Sequence, residues 1–435
     1  MNVMINDISE DLDTNVQGVQ LAITLFLLIM AILMIPASKL TDRWGRKRCF
    51  IGGLVLYGIG ALMSALSPSL GVLIVGNSVF EGVGTALLIP PVYILTTMAF
   101  SEISSRARAF GVISGLGGIG AAAGPLIGGL ITTAISWRAA FIFQAAVVAA
   151  IVLLSRRIVD PVPPDPERPF DVVGAILSAV GMFFVVLGIL QADSSGLLTA
   201  VFLAVGAAFL VAFFLYIRFR ERAGKEALLS TGLFKTRTSN LGLVTQNSQW
   251  FILMGTSFVV AVYLQTVRGY NAIETGVIFT AATLGILASS FGAERFARKR
   301  AQRTLIAGGF VITLAGIGLL LGLVPAWSSV VAFVPGLLLI GLGLGVMLTP
   351  SVNVVQSSFP EELQGEISGL SRSVSNLGST FGTAIAGTIL VSGLTTGAYA
   401  LAMVALAVVA VIGLVVALFL PAQLGRQELA GETLS

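Results

Sequence analysis

Histidine is absent from this chain, and cysteine occurs once, as Cys49. The first absence removes His-ligated zinc, Ser-His nucleophile pairs and imidazole proton relays. The second rules out a disulfide framework within the chain. Charge is scarce too: Asp, Glu, Lys and Arg make up only 11% of residues, where a soluble domain carries about 25%. No Gly-x-x-x-x-Gly-Lys-Ser/Thr loop occurs, which excludes the nucleotide-driven pumps that need one. No metal site and no cofactor is expected. The N-terminus lacks the basic n-region of a cleavable signal peptide.

What is present is apolar. The chain is 56% hydrophobic with a mean hydropathy of +0.97. One aqueous core cannot hide that much apolar surface, so the solvent must be lipid. A spanning helix needs about 20 apolar residues. Runs of that kind cover 16–38, 49–67, 70–97, 108–133, 137–155, 171–192, 196–217, 240–267, 274–293, 304–325, 328–352, 366–392 and 397–420. Placing 39–48 in the cytoplasm and alternating from there puts all but two of the 25 Lys and Arg residues on the cytoplasmic side. The exceptions are Arg138 and Arg268. The C-terminus is then cytoplasmic. The pI near 9.4 reflects these membrane loops, and no nucleic-acid partner is expected.

The chain repeats itself. Asp42-Arg43-Trp44-Gly45-Arg46-Lys47-Arg48 returns as Glu294-Arg295-Phe296-Ala297-Arg298-Lys299-Arg300. Gly120, Gly124 and Gly129 return at one constant offset as Gly378, Gly382 and Gly387. Two related halves with a site between them is how many secondary transporters are built. The expected units are an N-terminal helical bundle over 1–155, a connector with an inserted two-span hairpin over 156–239, a C-terminal bundle over 240–421 and a tail over 422–435. The second half places two helices ahead of its basic stretch, whereas 1–42 holds only one. The expectation is a missing first helix with 1–12 as its outer end, from a start placed too far downstream. The alternative is a genuine thirteen-span chain.

Three motifs carry mechanism. Ser38-Lys39-Leu40-Thr41-Asp42-Arg43-Trp44-Gly45-Arg46-Lys47-Arg48 joins two spans. Asp42 can accept charge-assisted hydrogen bonds from Arg side chains and helix N-terminal amides, and Gly45 permits a tight turn. Positive-inside topology alone would explain the Arg and Lys residues but neither Asp42 nor Gly45. The stretch resembles the loop motif of the major facilitator superfamily, Gly-x-Leu-x-Asp-Arg-x-Gly-Arg-Lys/Arg, with Ser38 in place of the first Gly. The resemblance implies a cytoplasmic gate on Asp42, Arg43, Gly45, Arg46 and Lys47, copied at Glu294, Arg295 and Arg298. The run from Gly117 to Gly129 resembles the antiporter motif of that superfamily's drug exporters, Gly-x-x-x-Gly-Pro-x-x-Gly-Gly. Gly120, Gly124, Pro125, Gly128 and Gly129 match it. Small residues let helices pack closely and Pro125 kinks the helix, so ordinary packing is the plainer reading. The copy has Thr383 in place of the Pro, and that asymmetry points beyond packing; the resemblance implies export.

The third signal is Glu81, the one acidic residue in the middle of a span. A charge at the bilayer centre costs roughly 2.5–3.5 kcal/mol, so an acid there is a candidate for taking up and releasing a transported proton. A structural hydrogen bond is the alternative. The resemblance also shows a departure. Asn77-Ser78-Val79-Phe80-Glu81-Gly82 aligns with the family's Arg-x-x-Gln-Gly. Ser78 stands where that Arg is implicated in proton transfer, and Glu81 replaces the Gln.

Gln246, Gln249 and Trp250 share one helical face. With Ser78, Asn353 and Gln356 they are candidates for contacting cargo, interhelical hydrogen bonding being the equal alternative. The resemblance covers essentially the whole chain and implies the fourteen-span drug:proton antiporter branch. The expected fold is an all-α integral membrane protein of two six-helix bundles with a two-helix insert and about thirteen spans. The expected function is proton-coupled efflux of amphipathic drugs or metabolites by a plasma-membrane monomer. Alternatives are an exporter of one metabolite and a non-transporting sensor on the same fold. An enzyme is not expected, because no paired acids or other catalytic set is present.

Overall fold

The computed structural model describes residues 1–99, 103–160, 163–167, 169–192, 195–297, 301–359 and 363–421. Among these residues every regular element is helical. Short α1 (Ile5–Asp11) precedes α2 (Val16–Trp44) and α3 (Arg46–Ala65). The next span begins as α4 (Leu70–Leu73), widens into a π-helix over Ile74–Glu81 and continues as α5 (Gly82–Ala99). α6 (Ile103–Ala134) and α7 (Trp137–Ser155) follow, then α8 (Val172–Leu190) and α9 (Gly196–Arg222). After them come α10 (Arg237–Val262), extended by a π-helix over Tyr263–Val267, α11 (Ala272–Ala297), α12 (Gln302–Ala326), α13 (Val334–Gln356), α14 (Gln364–Val391) and α15 (Thr396–Leu418).

Each of the thirteen expected apolar runs coincides with a helix. Twelve helices among the described residues are long and apolar enough to cross a membrane, and α6 adds an apolar stretch over Ala123–Ala134. The chain is a multi-pass membrane protein.

Helices α2 to α7 pack on one another, as do α10 to α15. Within each set one close approach is glycine on glycine, and the two sets repeat it. In the first, α3 meets the α4–α5 span. A methyl at Gly53 would sit 2.7 Å from the Gly84 carbonyl oxygen, and one at Gly60 would sit 2.6 Å from that of Gly76. In the second, α12 meets α13. A methyl at Gly309 would sit 2.6 Å from the Gly343 carbonyl oxygen, and one at Gly316 would sit 2.7 Å from that of Gly336. Such distances admit no side chain, so backbone meets backbone.

Two antiparallel seams join the sets. In the first, α2 runs along α14. Gln20 Nε2 donates to the Thr383 carbonyl at 3.1 Å, and Ser373 Oγ donates to the Ala31 carbonyl at 2.7 Å. In the second, α6 runs along α11. A methyl at Gly129 would sit 2.5 Å from the Ala272 carbonyl oxygen, and one at Gly276 the same distance from that of Pro125. The seams are related by the internal repeat, since α2 corresponds to α11 and α6 to α14.

The α8–α9 hairpin lies outside this frame, against the α2–α14 seam. Most of α9 faces outward through residues such as Leu203, Val211 and Leu215, whereas α10 is largely enclosed. Buried Asp171 anchors the hairpin. Its carboxylate caps α8 at the Gly174 amide, accepts the Leu228 amide at 2.9 Å and lies 3.6 Å from Arg220.

The two arginines set apart by the sequence, Arg138 and Arg268, both lie at the membrane end opposite the basic loops. Arg138 pairs with Asp11 and donates to the Ser67 carbonyl at 2.8 Å. Arg268 donates to the Val324 and Trp327 carbonyls.

Candidate functional site

At the basic end, Gly45 separates α2 from α3 with φ +91°, a conformation that glycine adopts freely and other residues resist. The loop is tied to the connector that follows α7. Lys47 donates its amide to Asp160 at 3.2 Å and its ammonium to the Arg156 carbonyl at 2.9 Å. Arg43 is in the last turn of α2, and Arg46 opens α3. The side chains of Asp42, Glu294 and Arg295 lie outside the described residues, as does the whole of Arg298.

One turn before Asp42, Lys39 makes an ion pair with Glu366 at 2.8 Å. This contact joins α2 to the first turn of α14, across the seam between the halves. Glu366 also accepts the Ser230 amide at 3.2 Å, which brings the stretch after α9 into the same junction. The sequence contains both residues, but nothing in their spacing pairs them.

The glycines of the antiporter-like run divide by task. Gly129 belongs to the α6–α11 seam, and Gly128 lies in ordinary contact with Val3 and Met4. Gly120 and Gly124 are exposed, and a methyl there would meet nothing within 4 Å. Their repeats behave differently: Gly378 and Gly382 press on the Asn247 and Phe251 carbonyls of α10.

Glu81 ends the π-helical segment and is 2% exposed. It points into the first half, toward α3 and α7. Gln144 Nε2 donates to its Oε2 at 2.7 Å and contacts the Tyr57 hydroxyl at the same distance. Tyr57 and Asn77 both border the carboxyl, yet its Oε1 has no partner of hydrogen-bonding geometry. A buried carboxyl oxygen left open in this way is uncommon and asks for a reason. Ser78, one residue from Asn77, donates instead to the Ala22 carbonyl of α2 at 2.7 Å.

The cargo candidates do not converge. Gln246 accepts from Ser371 of α14 at 2.8 Å. Gln249 donates to the Leu344 carbonyl at 3.2 Å and accepts from Ser351 at 3.0 Å, both on α13. These are bonds between helices of the second half. Trp250 is partly buried and Asn353 is exposed. Gln356 alone lines a cleft between the halves, where its amide donates to Ser368 Oγ at 3.4 Å.

That narrow cleft lies among α2, α5, α13 and α14, and it contains two residues absent from the sequence-based site: Tyr93 and Arg372. The Arg372 guanidinium lies 4.5 Å from the Tyr93 ring centroid and donates to the Tyr93 hydroxyl. The sequence signal is a lone basic residue inside the run 366–392. It stands eight residues past the start of α14, about 12 Å along the helix axis.

A sequence model of the Major Facilitator Superfamily matches residues 1–172 and 170–383. Among similar proteins, the puromycin resistance protein pur8 of Streptomyces alboniger is 30% identical over 399 residues, covering 89% of this chain and 77% of that protein. The tetracenomycin C resistance and export protein of Streptomyces glaucescens is 30% identical over 410 residues, 88% of this chain and 71% of that protein. The multidrug resistance protein Stp of Mycobacterium tuberculosis (strain ATCC 25618 / H37Rv) is 28% identical over 398 residues, with 90% and 72% covered. The repeat-related halves, the apolar helices and the match along most of the chain agree: this protein belongs to the Major Facilitator Superfamily, as a membrane transporter of small molecules and not an enzyme.

Proposed function

We propose that the chain exports amphipathic drugs or metabolites across the plasma membrane in exchange for protons. The observation that carries this reading is the pair of repeat-related seams, α2 with α14 and α6 with α11, by which the two halves meet; a narrow cleft lies beside the first of them. Two rigid halves meeting along such seams can rock about a central site, which is alternating access. The names of the relatives, which speak of resistance and export, favour outward transport of a drug-like cargo.

In this reading the basic loops and the C-terminus face the cytoplasm, and the protein works as a monomer without a nucleic-acid partner. The Gly45 turn and the neighbouring Asp42, Arg43, Arg46 and Lys47 form the cytoplasmic gate, with Glu294, Arg295 and Arg298 as its second-half counterpart. Lys39 and Glu366 latch the gate across the seam. Glu81, buried between α3 and α7, carries the proton. Because Glu81 faces α3 and α7 rather than the cleft, the proton acts through packing inside the first half and not by contact with cargo. Gly120, Gly124, Pro125, Gly128 and Gly129 set the shape and seam contacts of α6. The polar residues Ser78, Gln246, Gln249, Trp250 and Asn353 brace the helices around the cleft, and Gln356 borders it.

Everted membrane vesicles energised to an acidic interior test the reading. Ethidium and other lipophilic cations are expected to collapse the pH gradient in vesicles that contain the protein and to leave it intact in vesicles from cells lacking it. A well-expressed protein that causes no collapse across a broad panel of cationic, neutral and anionic amphipaths would contradict the exchange of cargo for protons.

A further inference from the structure

We propose that the cleft between α2, α5, α13 and α14 is an anion-binding subsite in which Arg372 takes the carboxylate, sulfonate or ionised phenol of an amphipathic cargo. The proposal rests on the export reading and specifies the chemistry of what is exported.

The argument starts from cost. A guanidinium six residues, about 9 Å, inside the apolar stretch Glu366–Val391 is costly to place without a partner. Lys39, Arg138 and Arg220 each pair with an acid, Glu366, Asp11 and Asp171. Arg372 makes no ion pair with a carboxylate among the described residues. Its described partners are the face and the hydroxyl of Tyr93. A phenol holds a guanidinium in place without neutralising it. The tyrosine contact engages one of five N–H donors. The edges of the planar fork remain suited to bidentate binding of a carboxylate or similar anion.

The walls agree with that chemistry. Met34, Ile89 and Ile94 supply apolar surface on the side of the first half, while Gln356 and Ser368 add polar groups beside Arg372 on the side of the second. The closed cleft has room for little more than one small group, so an anionic head group meets Arg372 there while the apolar body it carries lies against the first-half wall once the seam loosens.

The geometry also couples binding to movement. The contact between Arg372 and Tyr93 joins α14 to α5, and so joins the two halves. An anion that engages the guanidinium competes with the Tyr93 hydroxyl for it. Cargo with the right charge therefore loosens a contact that holds the seam closed.

The test is direct binding to the full chain, purified and placed in nanodiscs of a zwitterionic lipid. Two xanthene dyes serve as probes: fluorescein, which carries a carboxylate, and rhodamine 6G, which is esterified and cationic. Fluorescence anisotropy is expected to show saturable fluorescein binding to the wild type. Arg372→Gln should weaken it by about tenfold or more, the equivalent of about 1.4 kcal/mol, with rhodamine 6G little changed. Gln356→Glu leaves Arg372 in place but supplies an internal counterion, and should also depress fluorescein binding selectively. It decides the matter if Arg372→Gln fails to fold. Wild-type protein that binds no fluorescein beyond empty nanodiscs would overturn the proposal. So would wild-type fluorescein affinity in Gln356→Glu, or equal loss of both dyes in it. The export reading stands or falls separately, on collapse of the vesicle pH gradient by any member of the panel of cationic, neutral and anionic amphipaths.

Discussion

Replacing Gly84 with leucine is expected to leave almost no folded protein in the membrane. A methyl at this position would sit 2.6 Å from the Gly53 carbonyl oxygen and 2.7 Å from the Tyr57 amide nitrogen. Both are backbone atoms of α3, so no side chain can swing aside. Adding methylenes to a well-packed interior costs roughly 1–3 kcal/mol even where side chains can adjust, and here the helices themselves must separate. Separation would also break the glycine contact one helical segment away, between Gly60 and Gly76. The repeat makes the prediction double. Gly343→Leu in α13 should fail in the same way, because a methyl there would sit 2.5 Å from the Gly309 carbonyl oxygen. Gly322→Leu is the control, since a methyl at this exposed position of α12 meets nothing within 4 Å. Size-exclusion profiles of mild detergent extracts read the outcome. A sharp monodisperse peak for Gly322→Leu and its loss for the other two is expected. Normal extraction of Gly84→Leu would mean that α3 and α5 are not in backbone contact.

Glu81→Gln is expected to abolish proton exchange while leaving the fold and cargo binding intact. Glutamine has the same shape and retains an oxygen for the Gln144 amide, which now donates to Glu81 at 2.7 Å. It cannot take up or release a proton. In everted vesicles the variant should behave like vesicles without the protein, although dye binding to the purified variant persists. Wild-type collapse of the pH gradient by Glu81→Gln would reduce Glu81 to a structural acid and place the proton elsewhere.

Much of the architecture was legible because membrane insertion is governed by length and composition. Each apolar run became a helix, and the spacing of the basic stretches disclosed the duplication. Contacts between helices were less legible, because partners such as Gly53 and Gly84 are chosen by packing geometry and not by sequence distance. Residues repeated in sequence also differ in task. Gly378 and Gly382 carry α10, while Gly120 and Gly124 face open space. Gln246 and Gln249, expected on one helical face, are engaged by different helices of their own half, α14 and α13. The direction of Glu81 was hidden for a different reason. The π-helix over Ile74–Glu81 adds residues to each turn and shifts the register that a regular α-helical wheel assumes. Arg372 was overlooked because charge counting locates a residue along the chain but not its depth in a helix.

The central claim is that the two halves move against each other at the α2–α14 seam. Its most direct test is to pin that seam at the junction where Lys39 and Glu366 now lie 2.8 Å apart. Lys39→Cys and Glu366→Cys can be combined in a Cys49→Ser background, leaving no other thiol in the chain. A short bifunctional methanethiosulfonate then bridges the pair in everted vesicles. Cross-linking is expected to stop dye-driven collapse of the pH gradient, and reductant to restore it, while either single cysteine variant stays active after the same treatment. Undiminished exchange in a quantitatively cross-linked protein would contradict a seam that must open for transport.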